Sequence, residues 1–416
     1  MCVAYDIAGV RGLYTSLSDG WIYLNAHDCP QVPERVSSAV ARSFRVATSV
    51  SRPEPAAGTH SKPTSGSPEA ATLLSDASVA VADLVGATPE RVVLGPGLVY
   101  LYASLVASMR PLLRRNSSVV LNNVDRVELT AALGRTEADV RWAAADLATG
   151  SLPGWQYMDL VDGATRLVSV PAAHPYLGTV APVAEIAETV RAASRAWVLV
   201  DASAYAPYRP ITFDDWGADI VAVDLKEMGG PEIAALVFRD ESMFGRLAAV
   251  GDPAANGVAR LDLGVSPGLA GAAAPTIDHY ASLVDAPTGR STRRTRLVAS
   301  MSETSGYLER LRDELHTFLG TLPAVHIVGV SGEAAAESDA EVDRIPRLSF
   351  GVKGVPALTV QQRLFAHGIV ASLMPQGPLT EEMGVGELGG AVTVSLSPFN
   401  TTADIEHLIR TVASLA

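Results

Sequence analysis

Five short runs, SVVLN at 118–122, RLVSVP at 166–171, WVLVD at 197–201, DIVAVD at 219–224 and IAALVF at 233–238, are apolar at successive positions and not at alternate ones. A strand with one face in water alternates apolar and polar residues. Unbroken runs therefore belong to strands covered on both faces, as in a parallel sheet with helices above and below it. Helix-patterned or polar stretches stand between many of these runs. Further helices are expected at 33–47 and 74–85, with short strands at 92–94, ahead of Gly95-Pro96-Gly97, and in DVRWA at 139–143. The alternation predicts an α/β fold.

Past residue 291 the pattern changes to one long helix, TRRTRLVASMSETSGYLERLRDELHTFLGTL, then strands near VHIVGV, RLSFGV and VTVSLS, and a closing helix in ADIEHLIRTVASLA. This reads as a second, smaller α+β domain, and 416 residues are too many for one small core. The stretch at 53–71 is Ser/Pro/Gly-rich and reads as a long loop. No internal repeat is present.

Composition narrows the function classes. A formal net charge of −13 gives no broad positive field for nucleic acid or anionic lipid. Cys2 and Cys29 are the only cysteines, which excludes a disulfide framework and a multi-cysteine metal site and fits a reducing cytoplasm. The first twenty residues lack a basic start followed by an apolar run, and no later stretch has the length of a membrane span, so a cytoplasmic protein is expected. The eight histidines are scattered without metal-ligand spacing, so no metal is expected, and His174 in PAAHPYLG reads as a pocket-lining or core residue. The glycines of GPGLV come with neither a Walker lysine nor a dinucleotide fingerprint.

Only three lysines occur, Lys62, Lys226 and Lys353, so nearly all of the 32 basic residues are arginine. Lys62 and Lys353 sit in loop-like surroundings, whereas Lys226 interrupts the apolar run IVAVDLKEMGGP. Open α/β sheets bind ligands outside the carboxyl ends of their strands. Asp201 closes WVLVD, and Lys226 follows DIVAVD by two positions. An isolated Asp and Lys are ordinarily a salt bridge, or a capping carboxylate beside a snorkelling amine. The same two groups on neighbouring strand ends can serve a pyridine aldehyde, the carboxylate holding the ring nitrogen protonated while the amine condenses with the aldehyde.

The stretch VDASAYAPYRPITFDDWGADIVAVDLKEMGGPEIAALVFRD resembles the cofactor-binding core of the class V aminotransferase and cysteine desulfurase family, which depends on pyridoxal phosphate (PLP). WIYLNAHDCPQVPERV, RVVLGPGLVYLYASL, RIPRLSF and VTVSLSPFNTTADI are similar to other segments of it, so the resemblance covers nearly the whole chain. It implies the PLP-transferase fold type I, a large domain with a mostly parallel seven-stranded sheet plus a smaller α+β C-terminal domain. The expected divisions are an N-terminal segment at 1–45 packing with the small domain, the large domain at 46–285 and the small domain at 286–416. It also implies a site between the domains, a homodimer or a heterodimer with a homologue, and a small-molecule substrate.

Carried over residue by residue, the resemblance makes Lys226 and Asp201 the catalytic and cofactor-binding pair. Arg126 stands at the histidine that stacks on the ring, Gly97, Leu98 and Val99 form the phosphate-side turn, and Ala204 replaces a glutamine near the ring. Hydroxyl and histidine donors of the phosphate cup become Val99, Val223 and Leu225, and a threonine reaching across the dimer becomes Val265. A buried dianion is disfavoured without donors, which backbone amides at a helix N-terminus replace only in part. Pro175 replaces an asparagine and Thr393 the carboxylate-binding arginine, so an ordinary α-amino acid loses its anchor. His27, Asp28 and Cys29 lie where the N-terminal segment approaches the substrate. The segment at 371–390, which carries a desulfurase's cysteine, contains none, so persulfide formation is not expected.

Two readings follow. One is a PLP-dependent enzyme of specialised metabolism acting on an amine or modified amino acid through Lys226. The other is a scaffold that has lost phosphate binding and either reuses the pocket or pairs with an active homologue without catalysis of its own.

Overall fold

Seven strands form the central sheet: β1 Val92–Gly95, β2 Ser118–Asn122, β3 Asp139–Ala143, β4 Thr165–Pro171, β5 Trp197–Asp201, β6 Ile220–Asp224 and β7 Ala234–Phe238. The computed structural model describes residues 5–50, 66, 68–261, 263–285, 290–330 and 342–415. Cys2, Lys62 and most of the stretch at 53–71 lie outside them. The strand order is β1-β7-β6-β5-β4-β2-β3, parallel except for β7, which runs antiparallel to both of its neighbours.

The unbroken apolar runs have the cause expected of them. In β5 and β6, Val198, Val200, Val221 and Val223 join one apolar layer, while Trp197, Leu199, Ile220 and Ala222 join the layer on the other face. Each such side chain removed from water contributes about 1.5–3 kcal/mol, so a polar residue on either face would be costly. The edge strand β3 is different, with Trp142 exposed, and its sequence is correspondingly mixed.

From β2 the chain moves outward to β3, then returns to β4 and proceeds through β5 and β6 to β7. Its connections thus diverge between β2 and β4, where an open sheet forms its ligand crevice. The residues that leave the carboxyl ends there are Asp125 and Arg126 after β2, Ala173 to Pro175 after β4, and Ser203 and Ala204 after β5.

Over this edge sits the smaller lobe. Its long helix, Arg293–Gly320, starts at Thr292, whose side chain accepts a hydrogen bond from the Thr295 amide. Strands β8 Val325–Ile327, β9 Arg347–Val352, β10 Ser372–Leu373 and β11 Val392–Ser395 form an antiparallel sheet in the order β10-β11-β9-β8. The closing helix, Thr402–Ala413, opens with a capping box between Thr401 and Asp404. Ile22–Tyr23 pairs in parallel with Ile369–Val370, and Asn25 bridges to Ser395, which carries His27 and Asp28 onto the crevice. Among the described residues no helix is long and apolar enough to cross a membrane.

One turn between the lobes depends on glycine. Gly178 has φ +76°, and a Cβ built on it would lie 2.5 Å from the Arg347 carbonyl oxygen and 2.7 Å from that of Ile345. Gly178→Ala is therefore expected to lower stability in urea unfolding by about 1–3 kcal/mol, from backbone strain and the clash together. A midpoint equal to wild type would contradict this.

Candidate active site

Asp201 ends β5 and is buried, with Oδ1 accepting from the Ser203 amide at 2.9 Å and the Ser203 hydroxyl at 2.6 Å. Ser203 Oγ in turn accepts from the Asp224 amide at the end of β6. Asp125 is held on the other side of the crevice. Its Oδ2 accepts from Asn122 Nδ2 at 2.8 Å and Ser169 Oγ at 3.2 Å, while Asn122 Oδ1 accepts the Val124 and Asp125 amides. Burial pushes both carboxyls above the usual carboxylate range, Asp125 to about 7 with help from the charge of Asp201.

Arg126 supplies the counter-charge. Its Nε lies 3.7 Å from Glu128 Oε1, and the charges of Asp201, Glu227, Glu128 and Asp224 raise its pKa against the opposing effect of its burial. Asp125, Arg126, Asp201, Ser203 and Glu227 all border a cavity of ≈ 20 Å³, room for about one water molecule.

Lys226 is placed differently. Leu225–Met228 is a 3₁₀ turn joining β6 to β7, with Asp224 at its start accepting the Lys226 amide at 3.0 Å. With three residues per turn, Leu225 and Met228 share the inward face and are buried, so Lys226 faces away. Its side chain is 56% exposed, and Nζ lies 3.8 Å from Glu232 Oε1. The structure thus does not bring Lys226 and Asp201 into one pocket. Lys226 borders a neighbouring cleft of ≈ 350 Å³, which shares Arg126, Pro175 and Glu227 with the small cavity.

The other walls of this cleft come from the small lobe and the N-terminal segment. His27 is held by two hydroxyls, Nε2 with Ser372 Oγ at 2.7 Å and Nδ1 with Ser395 Oγ at 2.9 Å. Burial and the charge of Arg347 lower it to about 3, so the ring is neutral. Asp28 also lines the cleft, whereas Cys29 is free and exposed. Asp224 is pushed up to about 6, mainly by burial. Arg347, fully buried at the start of β9, pairs with Glu227 at 2.9 Å and also donates to the Pro175 carbonyl and Tyr208 hydroxyl.

Several residues singled out in the sequence stand elsewhere. Thr393 is fully buried in the small sheet, its hydroxyl 2.8 Å from Ser349 Oγ. His174 is buried and turned to its own loop, with Nδ1 accepting the Tyr176 and Leu177 amides. Gly97 precedes the helix Leu98–Ser108, in which Leu98 is buried and Val99 partly exposed, while Ala204 borders the small cavity. Asp125, Asp224, Glu227 and Arg347 were not picked out in the sequence. The signals available were an acid beside Arg126, acids flanking Lys226, and one arginine opening an apolar strand.

A family model described as aminotransferase class-V matches residues 32–248. A Mycobacterium tuberculosis protein of uncharacterised function is 36% identical over 419 residues, 99% of this chain and 100% of its own. The chain belongs to the class V aminotransferase family. An aminotransferase-like protein of Gibberella zeae is 24% identical over 359 residues, 82% of this chain and 83% of that one. A solved cysteine desulfurase from Thermococcus onnurineus superposes with a TM-score of 0.76 at 18% identity, covering 98% of this chain and 97% of its own, and shares the PLP fold type I.

The class V family depends on PLP, and the side chains at the ring and phosphate positions differ from that cofactor's usual partners. Beside Asp201 the space is ≈ 20 Å³, room for about one water molecule, and Arg126 is among its walls. Val223 and Leu225, 1% and 0% exposed, are embedded in the apolar core, and Val265 packs on that same core. They offer a phosphate dianion no donors.

The raised Asp125 carboxyl yields a pH signature. Its value of about 7 lies above the unfolded 3.8, so its contribution to stability is complete below the lower figure and is lost as pH rises through the upper one. Asp125→Asn is expected to gain in urea midpoint relative to wild type as pH rises across that window. A constant difference between the two proteins would contradict the assignment.

Proposed function

We propose that this class V family member binds a small cationic amine lacking an α-carboxylate in the cleft between its lobes. The observation that carries this reading is the charge of the cleft walls. Asp28, Glu128 and Asp224 stand against two cations, Arg126 and Lys226, while Glu227 is balanced by Arg347 and His27 is neutral. Such a lining attracts ammonium groups and repels carboxylates and phosphates. An α-carboxylate also lacks its usual partner, since Thr393 is buried against Ser349 and Arg347 is held by Glu227. Asp224, raised to about 6 by burial and ionised above that pH, is the carboxylate placed to hold a bound ammonium.

A second reading keeps the family's cofactor chemistry, and one observation favours it: Asp201 and Lys226 border cavities that share three residues. A swing of Arg126 would join the two spaces. The amine ligand is common to both readings.

The test is calorimetric binding of amines matched with their carboxylated parents, such as agmatine with arginine and phenethylamine with phenylalanine. The amines are expected to bind more tightly, with affinity rising as pH passes about 6 and Asp224 ionises. Asp224→Asn should remove that pH dependence and weaken binding about tenfold, the worth of one charge-assisted hydrogen bond. Preference for the carboxylated partners would sink the proposal.

A further inference from the structure

We infer that Arg126 is a built-in replacement for the positively charged ring of PLP, and that this chain has given up the cofactor of its family. Asp125 and Asp201 are both buried at the strand tips, each within the electrostatic reach of the other. Two such carboxylates need a cation nearby or must hold protons. In a PLP enzyme the Asp at the end of this strand meets a protonated ring nitrogen. Here the cation bordering the same cavity is a guanidinium of the chain itself, permanently charged and carried at the start of the helix Val127–Leu133. A pyridinium placed there would meet a like charge within a space of ≈ 20 Å³.

The remaining contacts of the cofactor are missing in a consistent way. Lys226, which would bond the aldehyde, is turned outward beside Glu232. Val223 and Leu225 close the phosphate end with apolar side chains that are fully buried. Glu227, next in sequence to the lysine, points instead into the shared wall and is fixed by Arg347 at 2.9 Å. The aldehyde's partner is thus turned aside and the phosphate's side-chain donors are absent, while Asp201 is retained and meets a cation supplied from within the chain.

The full-length protein, incubated with PLP and reduced with borohydride, tests this by peptide mapping. Lys353, an exposed lysine, serves as internal reference for nonspecific labelling. The inference predicts no enrichment of pyridoxyl label at Lys226 over Lys353. A saturable enrichment at Lys226 overturns it, and this outcome on the wild-type chain decides the matter by itself.

A gain-of-binding arm reads the cation site directly. Arg126→Ala should become thermally stabilised by millimolar guanidinium or imidazolium, which refill the space beside Asp201, while wild type gains nothing. Should that variant fail to fold alone, its recovery on refolding with either cation is the same result. Absence of any rescue, with Arg126→Lys folding normally, overturns the claim that a cation is required there. These readouts do not depend on amine binding, so failure of the amine proposal leaves them intact and separately readable.

Discussion

Charge balance at the carboxyl edge of the sheet constrains everything around it. Asp125 and Asp201 are only 9% and 8% exposed, and uncompensated charge at such buried positions costs several kcal/mol by the usual magnitudes for buried ions. Hydrogen bonds from Asn122, Ser169 and Ser203 satisfy part of their lone pairs, and Arg126 supplies the field that opposes their mutual repulsion. The side chain that balances these carboxylates also occupies the mouth of the crevice. On the inference drawn above, stability and the loss of the ring site are two consequences of one guanidinium.

The same economy of charge joins the lobes. Glu227 belongs to the large domain and Arg347 to the first residue of the strand β9 in the small one, and their buried contact fixes one side of the cleft floor. His27, brought in by the N-terminal segment, is clamped by Ser372 and Ser395 of the small sheet and kept neutral by its surroundings. The cleft that results is acidic, polar and open, unlike a pocket built around a phosphorylated cofactor. A cationic amine suits it on electrostatic grounds alone.

Much of the architecture was legible in the sequence because burial on both faces leaves a direct mark. Runs such as WVLVD and IAALVF could hardly be anything but interior strands, and the crevice position of Asp201 follows from where its run stops. The direction of Lys226 was not legible. It depends on whether residues 225–228 continue as strand or close into a 3₁₀ turn, and the turn sends Leu225 and Met228 inward and the lysine outward. The Arg347–Glu227 pair was equally hidden, since 120 residues separate its members and neither has an unusual neighbourhood in sequence. Thr393 and His174 show the converse. The sequence left His174 as pocket-lining or core and set Thr393 at the place of a carboxylate-binding arginine, and their side chains complete hydrogen bonds within a single loop and inside the small sheet.

The central claim is that a guanidinium, and not a cofactor ring, faces Asp201. A crystal structure of the chain grown with excess PLP tests it most directly. The account predicts electron density for the Arg126 guanidinium across the small cavity from Asp201, with no ring between the strand tips. Density for a pyridine ring against Asp201, continuous with the Lys226 amine and with Arg126 displaced, would contradict it.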